Sequence, residues 1–187
     1  MKLVYDPNYW NDYYGGSYDS TFRFGFDLLY LLKNGWDQAF EELPTSFADI
    51  GCGPGHTLVE ARRLLGDDAR IYGVEVQKIP DNEVKAPIIF GDFMELYHRL
   101  DPVDLLYVSC SMYVPWREQE EFLHACCSLA AKAAYFANLY IEDGRGIPPD
   151  ALRVTIYKDR LGFQKAIESL GLRRAKGRLD LFVKEIT

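Results

Sequence analysis

The residues best placed to do chemistry gather around a glycine-rich stretch, Asp49-Ile50-Gly51-Cys52-Gly53-Pro54-Gly55, which follows the apolar pair Phe47-Ala48. A turn built from glycine takes positive φ without steric cost and lets a bulky ligand press against the backbone. A helix that begins just after such a turn presents N–H groups with no partner inside the helix. A strand end, a glycine turn and a helix start therefore make a nucleotide cradle. The spacing argues against two common occupants. The dinucleotide fingerprint G-x-G-x-x-G needs glycine where His56 stands, and a side chain there intrudes on the pyrophosphate. No G-K-[ST] follows, so P-loop triphosphate chemistry is excluded as well.

Two carboxylates come next, each closing an apolar run. Glu75 ends Ile71-Tyr72-Gly73-Val74, and Asp92 follows Ile88-Ile89-Phe90-Gly91. A carboxylate accepts from two neighbouring hydroxyls at once. Each feature also has a plainer role: Glu75 as a solvated strand end, the glycines as an ordinary βα turn, and Asp92 as the cap of a helix starting at Phe93. For proton transfer the candidates are His56, at the start of the helix after the turn, and Tyr113. Tyr5, Tyr9, Trp10, Tyr13, Tyr14 and Tyr18 crowd the first residues, and aromatic faces attract sulfonium and ammonium cations.

Taken in order, these residues resemble the class I S-adenosylmethionine-dependent methyltransferases. Asp49, Gly51, Gly53 and Gly55 match the family's first motif, D-x-G-x-G-x-G. Glu75, with Val76 beside it, stands where the family holds both ribose hydroxyls. Asp92 matches the acidic position that hydrogen-bonds the adenine amino group, with Phe93 flanking the ring. Val103-Asp104-Leu105-Leu106-Tyr107-Val108-Ser109-Cys110-Ser111 resembles the fourth motif, the strand between cofactor and substrate. The motifs cover residues 47–111, and the rest fits the family only through its patterning.

The resemblance implies S-adenosylmethionine as cofactor, with S-adenosylhomocysteine as product, held by Asp49, Gly51, Cys52, Gly53, Gly55, Glu75, Val76, Asp92, Phe93 and Ser109. It implies an N-terminal segment that closes over the cofactor carboxylate with Tyr14, Tyr18 and Arg23, and a Tyr113 that points toward the acceptor. Methyl transfer from a sulfonium is an in-line displacement, so such an enzyme mainly aligns the nucleophile and excludes water. Relatives that methylate exocyclic amines of bases or glutamine side chains carry Asn/Asp-Pro-Pro-Tyr/Phe in the fourth motif. Ser109-Cys110-Ser111-Met112-Tyr113 lacks it, so the implied acceptor is a small molecule. Aminopropyl transfer or cyclisation with the same cofactor, and a non-catalytic S-adenosylmethionine-binding subunit, stay open as alternatives.

The elements that must position these residues follow from periodicity. After Pro44, short apolar runs alternate with amphipathic segments, which predicts βα units and a three-layer Rossmann-like α/β fold. Its sheet is expected to be mostly parallel with an antiparallel C-terminal strand. The expected strands are 46–50, 70–75, 87–91, 103–110 and 133–141, with a closing strand at 181–186. Helices are expected at 22–40, 57–65, 93–100, 117–129 and 159–170, the last stopping at Gly171. Residues 1–44 are read as an aromatic-rich cover and 45–187 as the cofactor-binding domain; Gly and Pro make 142–150 a loop.

Composition bounds the rest. The 187 residues, 48% of them hydrophobic, suffice for one sizeable core. A net charge of −7 repels a phosphate backbone, so nucleic acid is a poor partner. No leader-like apolar segment or membrane span is visible, and the expected location is the cytoplasm. Cys52, Cys110, Cys126 and Cys127 form no C-x-x-C pair, and His56, His98 and His124 show no ligand spacing with them. No metal is assigned. The acceptor's identity and the oligomeric state are not legible in the sequence.

Overall fold

The computed structural model describes residues 24–76, 87–108, 118–136, 160–176 and 181–184. Their elements are α1 (Phe24–Asn34), a 3-10 turn (Trp36–Gln38), β1 (Ser46–Ile50), α2 (His56–Leu65), β2 (Arg70–Glu75) and β3 (Ile88–Phe90). There follow α3 (Phe93–Leu96) running into a 3-10 turn (Tyr97–Arg99), β4 (Val103–Val108), α4 (Gln119–Leu129), β5 (Ala130–Phe136), α5 (Arg160–Ser169), β6 (Leu172–Arg174) and β7 (Leu181–Lys184).

The strands form one seven-stranded sheet in the order β3-β2-β1-β4-β5-β7-β6. β1 to β5 are parallel, and β7 runs antiparallel to both β5 and β6. This is the expected Rossmann-like arrangement. β1 and β4 are buried along their whole length, as strands covered by helices on both faces must be. The strand order reverses between β1 and β4, and in open α/β sheets the ligand crevice lies at the carboxyl ends of the strands beside such a switch point.

Two apolar clusters make the core. One packs Leu28, Leu31, Leu32 and Trp36 with Phe47, Leu58, Leu105, Tyr107 and Leu181. α1 thus shares its core with α2 and the sheet. The other holds Ile50, Leu106, Val108, Phe122, Phe136, Phe163 and Phe182. There the Phe136, Phe163 and Phe182 rings meet edge-on, with centroids 5.5–6.0 Å apart. At the amino end of the sheet, Thr45 donates its backbone N–H and its hydroxyl to Asp104 Oδ2, each at 2.9 Å. Lys132 Nζ stands 3.2 Å from the same oxygen, and the Asp104 N–H donates to Ser46 Oγ. This clasp ties the start of β1 to β4 and β5.

Three departures from expectation have local reasons. The first helix ends at Asn34, before Gly35, and tightens into the 3-10 turn, where Trp36 Nε1 donates to the Glu42 carbonyl. β5 begins at Ala130, directly from α4, although Ala-Ala-Lys-Ala-Ala favours helix. Parallel pairing with β4 overrides that propensity. β6 carries two arginines in three residues and gives no strand signal; it is the sheet's edge, where charge blunts edge-to-edge pairing. Residues 109–110, 137–141 and 185–186 of the expected strands lie outside the described residues. Among the described residues no helix is long and apolar enough to cross a membrane.

Candidate functional site at the carboxyl ends of β1 and β2

β1 stops at Ile50 and the chain enters the glycine turn. Gly51, Gly53 and Gly55 all have positive φ (77°, 52° and 89°), a region costly for any residue with a Cβ. The Gly51 and Cys52 N–H groups donate to the Val74 carbonyl at 2.8 and 3.2 Å, which folds the turn back over the end of β2. Gly55 is the left-handed residue before α2, and no side chain caps that helix. The helix start therefore faces the turn with N–H groups that have no acceptor inside the helix.

A fourth glycine, absent from the sequence-based site, makes this possible. A Cβ built on Gly73 of β2 would lie 2.5 Å from Cys52 Sγ and 2.7 Å from Leu58 Cδ1. The Cys52 side chain tucks inward over Gly73, which lets the turn settle against β2. The available signal was an isolated glycine inside a strand pattern, which marks a close approach.

Glu75 ends β2 with only 6% of its surface exposed, and its Oε2 accepts from the Gly53 N–H at 2.8 Å. The carboxylate is thereby locked to the turn. Its own carbonyl accepts from the Gly91 N–H at 2.9 Å, which brings the end of β3 alongside. Val76 follows, half-buried. Asp92 lies just beyond Gly91, exposed, and its Oδ1 caps α3 by accepting from the Met94 N–H at 2.9 Å. The capping role foreseen for it is real and leaves its second oxygen outside that bond. The Phe93 ring is 7% exposed and meets Phe122 edge-on, with centroids 5.4 Å apart. Its aromatic face belongs to the core, so beside Asp92 the residue offers the backbone N–H of a helix's first position.

Asp49 lies beneath the turn, opposite Gly73 in the β1–β2 register, and is 2% exposed. Its Oδ1 has no hydrogen-bond partner among the described residues. Burial pushes its carboxyl up to about 8, a hydrogen bond from Thr57 opposes the shift, and the Glu75 charge adds to it. On the other side Asp49 pairs in register with Tyr107 of β4, whose ring lies 5.2 Å from that of Tyr135 on β5. This tyrosine pair was also not anticipated, because a tyrosine inside an apolar run reads as core.

The structure thus brings together Asp49, Gly51, Cys52, Gly53, Gly55 and Glu75, and links Asp92 to them through Gly91. His56 is the half-buried first residue of α2. Tyr14, Tyr18, Arg23, Ser109 and Tyr113 lie outside the described residues. Among the described residues no group of three or more His, Cys, Asp or Glu could hold a metal ion.

No protein-family model and no curated protein matches this chain. Solved structures do. The magnesium protoporphyrin IX methyltransferase of Synechocystis PCC 6803, with bound SAM, matches 99% of this chain over 100% of its own, at a TM-score of 0.60 and 16% identity. The same enzyme with SAH matches 86% of this chain over 82% of its own, at 0.61 and 17%. An O-methyltransferase family protein from Burkholderia thailandensis matches 97% of this chain over 60% of its own, at 0.61 and 13%. At these identities the likeness is one of fold: the chain has the Rossmann-like fold of these methyltransferases.

Proposed function

We propose that this chain is an S-adenosylmethionine-dependent methyltransferase acting on a small-molecule acceptor. The observation that carries the reading is Glu75, a buried carboxylate clamped by the Gly53 N–H at the rim of a three-glycine turn. It stands next to the switch point of a sheet whose fold neighbours hold SAM or SAH. The residues present fit that cofactor. The glycine turn and the start of α2, which no side chain caps, suit an amino-acid end, Glu75 suits a ribose diol, and Asp92 with the Phe93 N–H suits an adenine edge.

When bound, S-adenosylmethionine supplies a methyl group on a sulfonium, activated for displacement. The protein's part is to orient the acceptor and keep water out. Ser109 would help to hold the cofactor and Tyr113 would point toward the acceptor, while Tyr14, Tyr18 and Arg23 would close over the cofactor carboxylate. His56 or Tyr113 would take a proton from a hydroxyl or amine acceptor. Three considerations support a small acceptor: the net charge of −7, a fourth motif without Asn/Asp-Pro-Pro-Tyr/Phe, and a fold neighbour that methylates magnesium protoporphyrin IX. Cys52, Cys126 and Cys127 are buried free thiols, which suits a reducing compartment such as the cytoplasm.

The test is incubation with methyl-labelled S-adenosylmethionine and a deproteinised metabolite extract. S-adenosylhomocysteine together with label in a small molecule is the expected outcome. Methylthioadenosine instead would mark attack on the carbon chain and overturn methyl transfer.

A further inference from the structure

A nucleobase gains affinity from an aromatic face on which it can stack. The residue expected to provide one here does not, because the Phe93 ring is 7% exposed and meets Phe122 edge-on in the core. The last residue of β3 behaves in the opposite way: Phe90 leaves 44% of its surface exposed. Its place in the sheet is specific. Phe90 pairs in parallel register with Glu75, as Ile88 does with Gly73. Residues paired in this way point to one face of a sheet, and successive residues alternate between faces. The face in question is the one that α2 covers, since a Cβ on Gly73 would meet Leu58 and Ile88 packs on the cluster that holds Leu58. Phe90 therefore stands beside Glu75 at the neighbouring-strand spacing of about 4.8 Å. It lies two residues beyond Ile88 toward the carboxyl end of the sheet, and Asp92 follows it by two more. Ile89, 37% exposed, pairs with Val74 and belongs to the other face.

We propose that Phe90, and not Phe93, supplies the aromatic surface against which the adenine of the bound cofactor lies. The inference rests on the function proposed above, because that reading puts a ribose on Glu75 and an adenine edge on Asp92. A base joined to that ribose and reaching that edge spans the stretch of β3 that Phe90 occupies. The Gly91 N–H bond to the Glu75 carbonyl holds this stretch against the end of β2, so the ring and the two carboxylates form one unit. An apolar ring between a few fixed polar groups is the usual make-up of a small-ligand site. A single exposed aromatic needs no explanation elsewhere on a surface, but at this register position it has a ligand to cover it.

The experiment pairs calorimetric titration with S-adenosylhomocysteine and nuclear Overhauser spectra of the complex, in protein labelled on its phenylalanine rings. Phe90→Ala should weaken binding roughly 5- to 100-fold, the range for losing a base-stacking aromatic. Phe90→Tyr should keep wild-type affinity. Ile89→Ala, a change of similar exposure on the opposite face of the same strand, should keep it too. In the wild type, adenine H2 or H8 should show contacts to a phenylalanine ring, and Phe90→Leu should lose them. If the Phe90 variants do not fold, the wild-type spectrum decides, because a bound adenine without any phenylalanine contact overturns the inference. So does unchanged affinity in Phe90→Ala, an equal loss in Ile89→Ala, or adenine contacts that survive in Phe90→Leu; each leaves the cofactor reading intact. No binding of S-adenosylhomocysteine or S-adenosylmethionine by folded wild-type protein overturns both.

Discussion

Glu75 performs two tasks with one carboxylate. Its Oε2 bond to the Gly53 N–H fixes the glycine turn, and the same group is the candidate receptor for a ribose. A hydrogen bond to a charged group contributes about 1.5–3 kcal/mol, so Glu75→Ala should weaken S-adenosylmethionine binding roughly 10- to 100-fold by calorimetry. Wild-type affinity in that variant would remove Glu75 from the site. At this scale the sequence was informative wherever a residue's type alone constrains its chemistry. Three glycines before a helix and a carboxylate at a strand end announce themselves. The partner of each group was not legible, because hydrogen bonds such as Glu75 to Gly53 join residues 22 apart in the chain. The Phe93 ring shows the limit in another way: adjacency to Asp92 does not say that its face packs on Phe122.

Among the elements, the β1-turn-α2-β2 unit behaves as one piece because Gly73 admits Cys52 and Leu58 against β2. Gly73→Ala should be overpacked, with a cost of about 1–3 kcal/mol and a lowered Tm. Because the clash falls on Cys52, the same variant should also bind S-adenosylmethionine less tightly than its stability loss alone explains. A variant with unchanged Tm would show that the turn does not rest on β2 as described. Phe93→Ala should cost about 3–5 kcal/mol, as truncation of a buried aromatic does, measured by denaturant unfolding. β1 and β2 were readable to the residue, because both are short apolar runs bounded by turn residues. β5 and β6 were not: the alanines of one and the arginines of the other carry no strand propensity, and only pairing with β4 and β7 puts them in the sheet.

For the molecule as a whole, two buried carboxylates set opposite pH dependences. Burial alone would raise Asp104, but the Thr45 bonds and Lys132 outweigh it and hold its carboxyl below the usual value of 3.8. Its stabilisation is therefore present above that value and is lost as pH falls through the lowered one. Asp49 is the reverse case. Its folded value is raised to about 8, so the unfolded chain sheds this proton first, and stability declines as pH rises from about 4 toward 8. Thermal melts across pH should show both limbs. Asp104→Asn should flatten the acid limb, and Asp49→Asn should remove the decline toward pH 8. If the Asp49→Asn melts kept that decline, the buried carboxyl would not be its source.

The sheet order, the double-sided core and the switch point all direct a ligand to the carboxyl ends of β1 and β2, and the residues waiting there suit an adenosyl group joined to an amino acid. The most direct measurement is calorimetric titration of the purified protein with S-adenosylmethionine and S-adenosylhomocysteine, with NAD as the control ligand. Saturable binding of an adenosyl ligand, none of NAD, and loss of binding in Glu75→Ala is the predicted result. A folded protein that binds neither adenosyl ligand, or that binds NAD instead, would contradict the central claim.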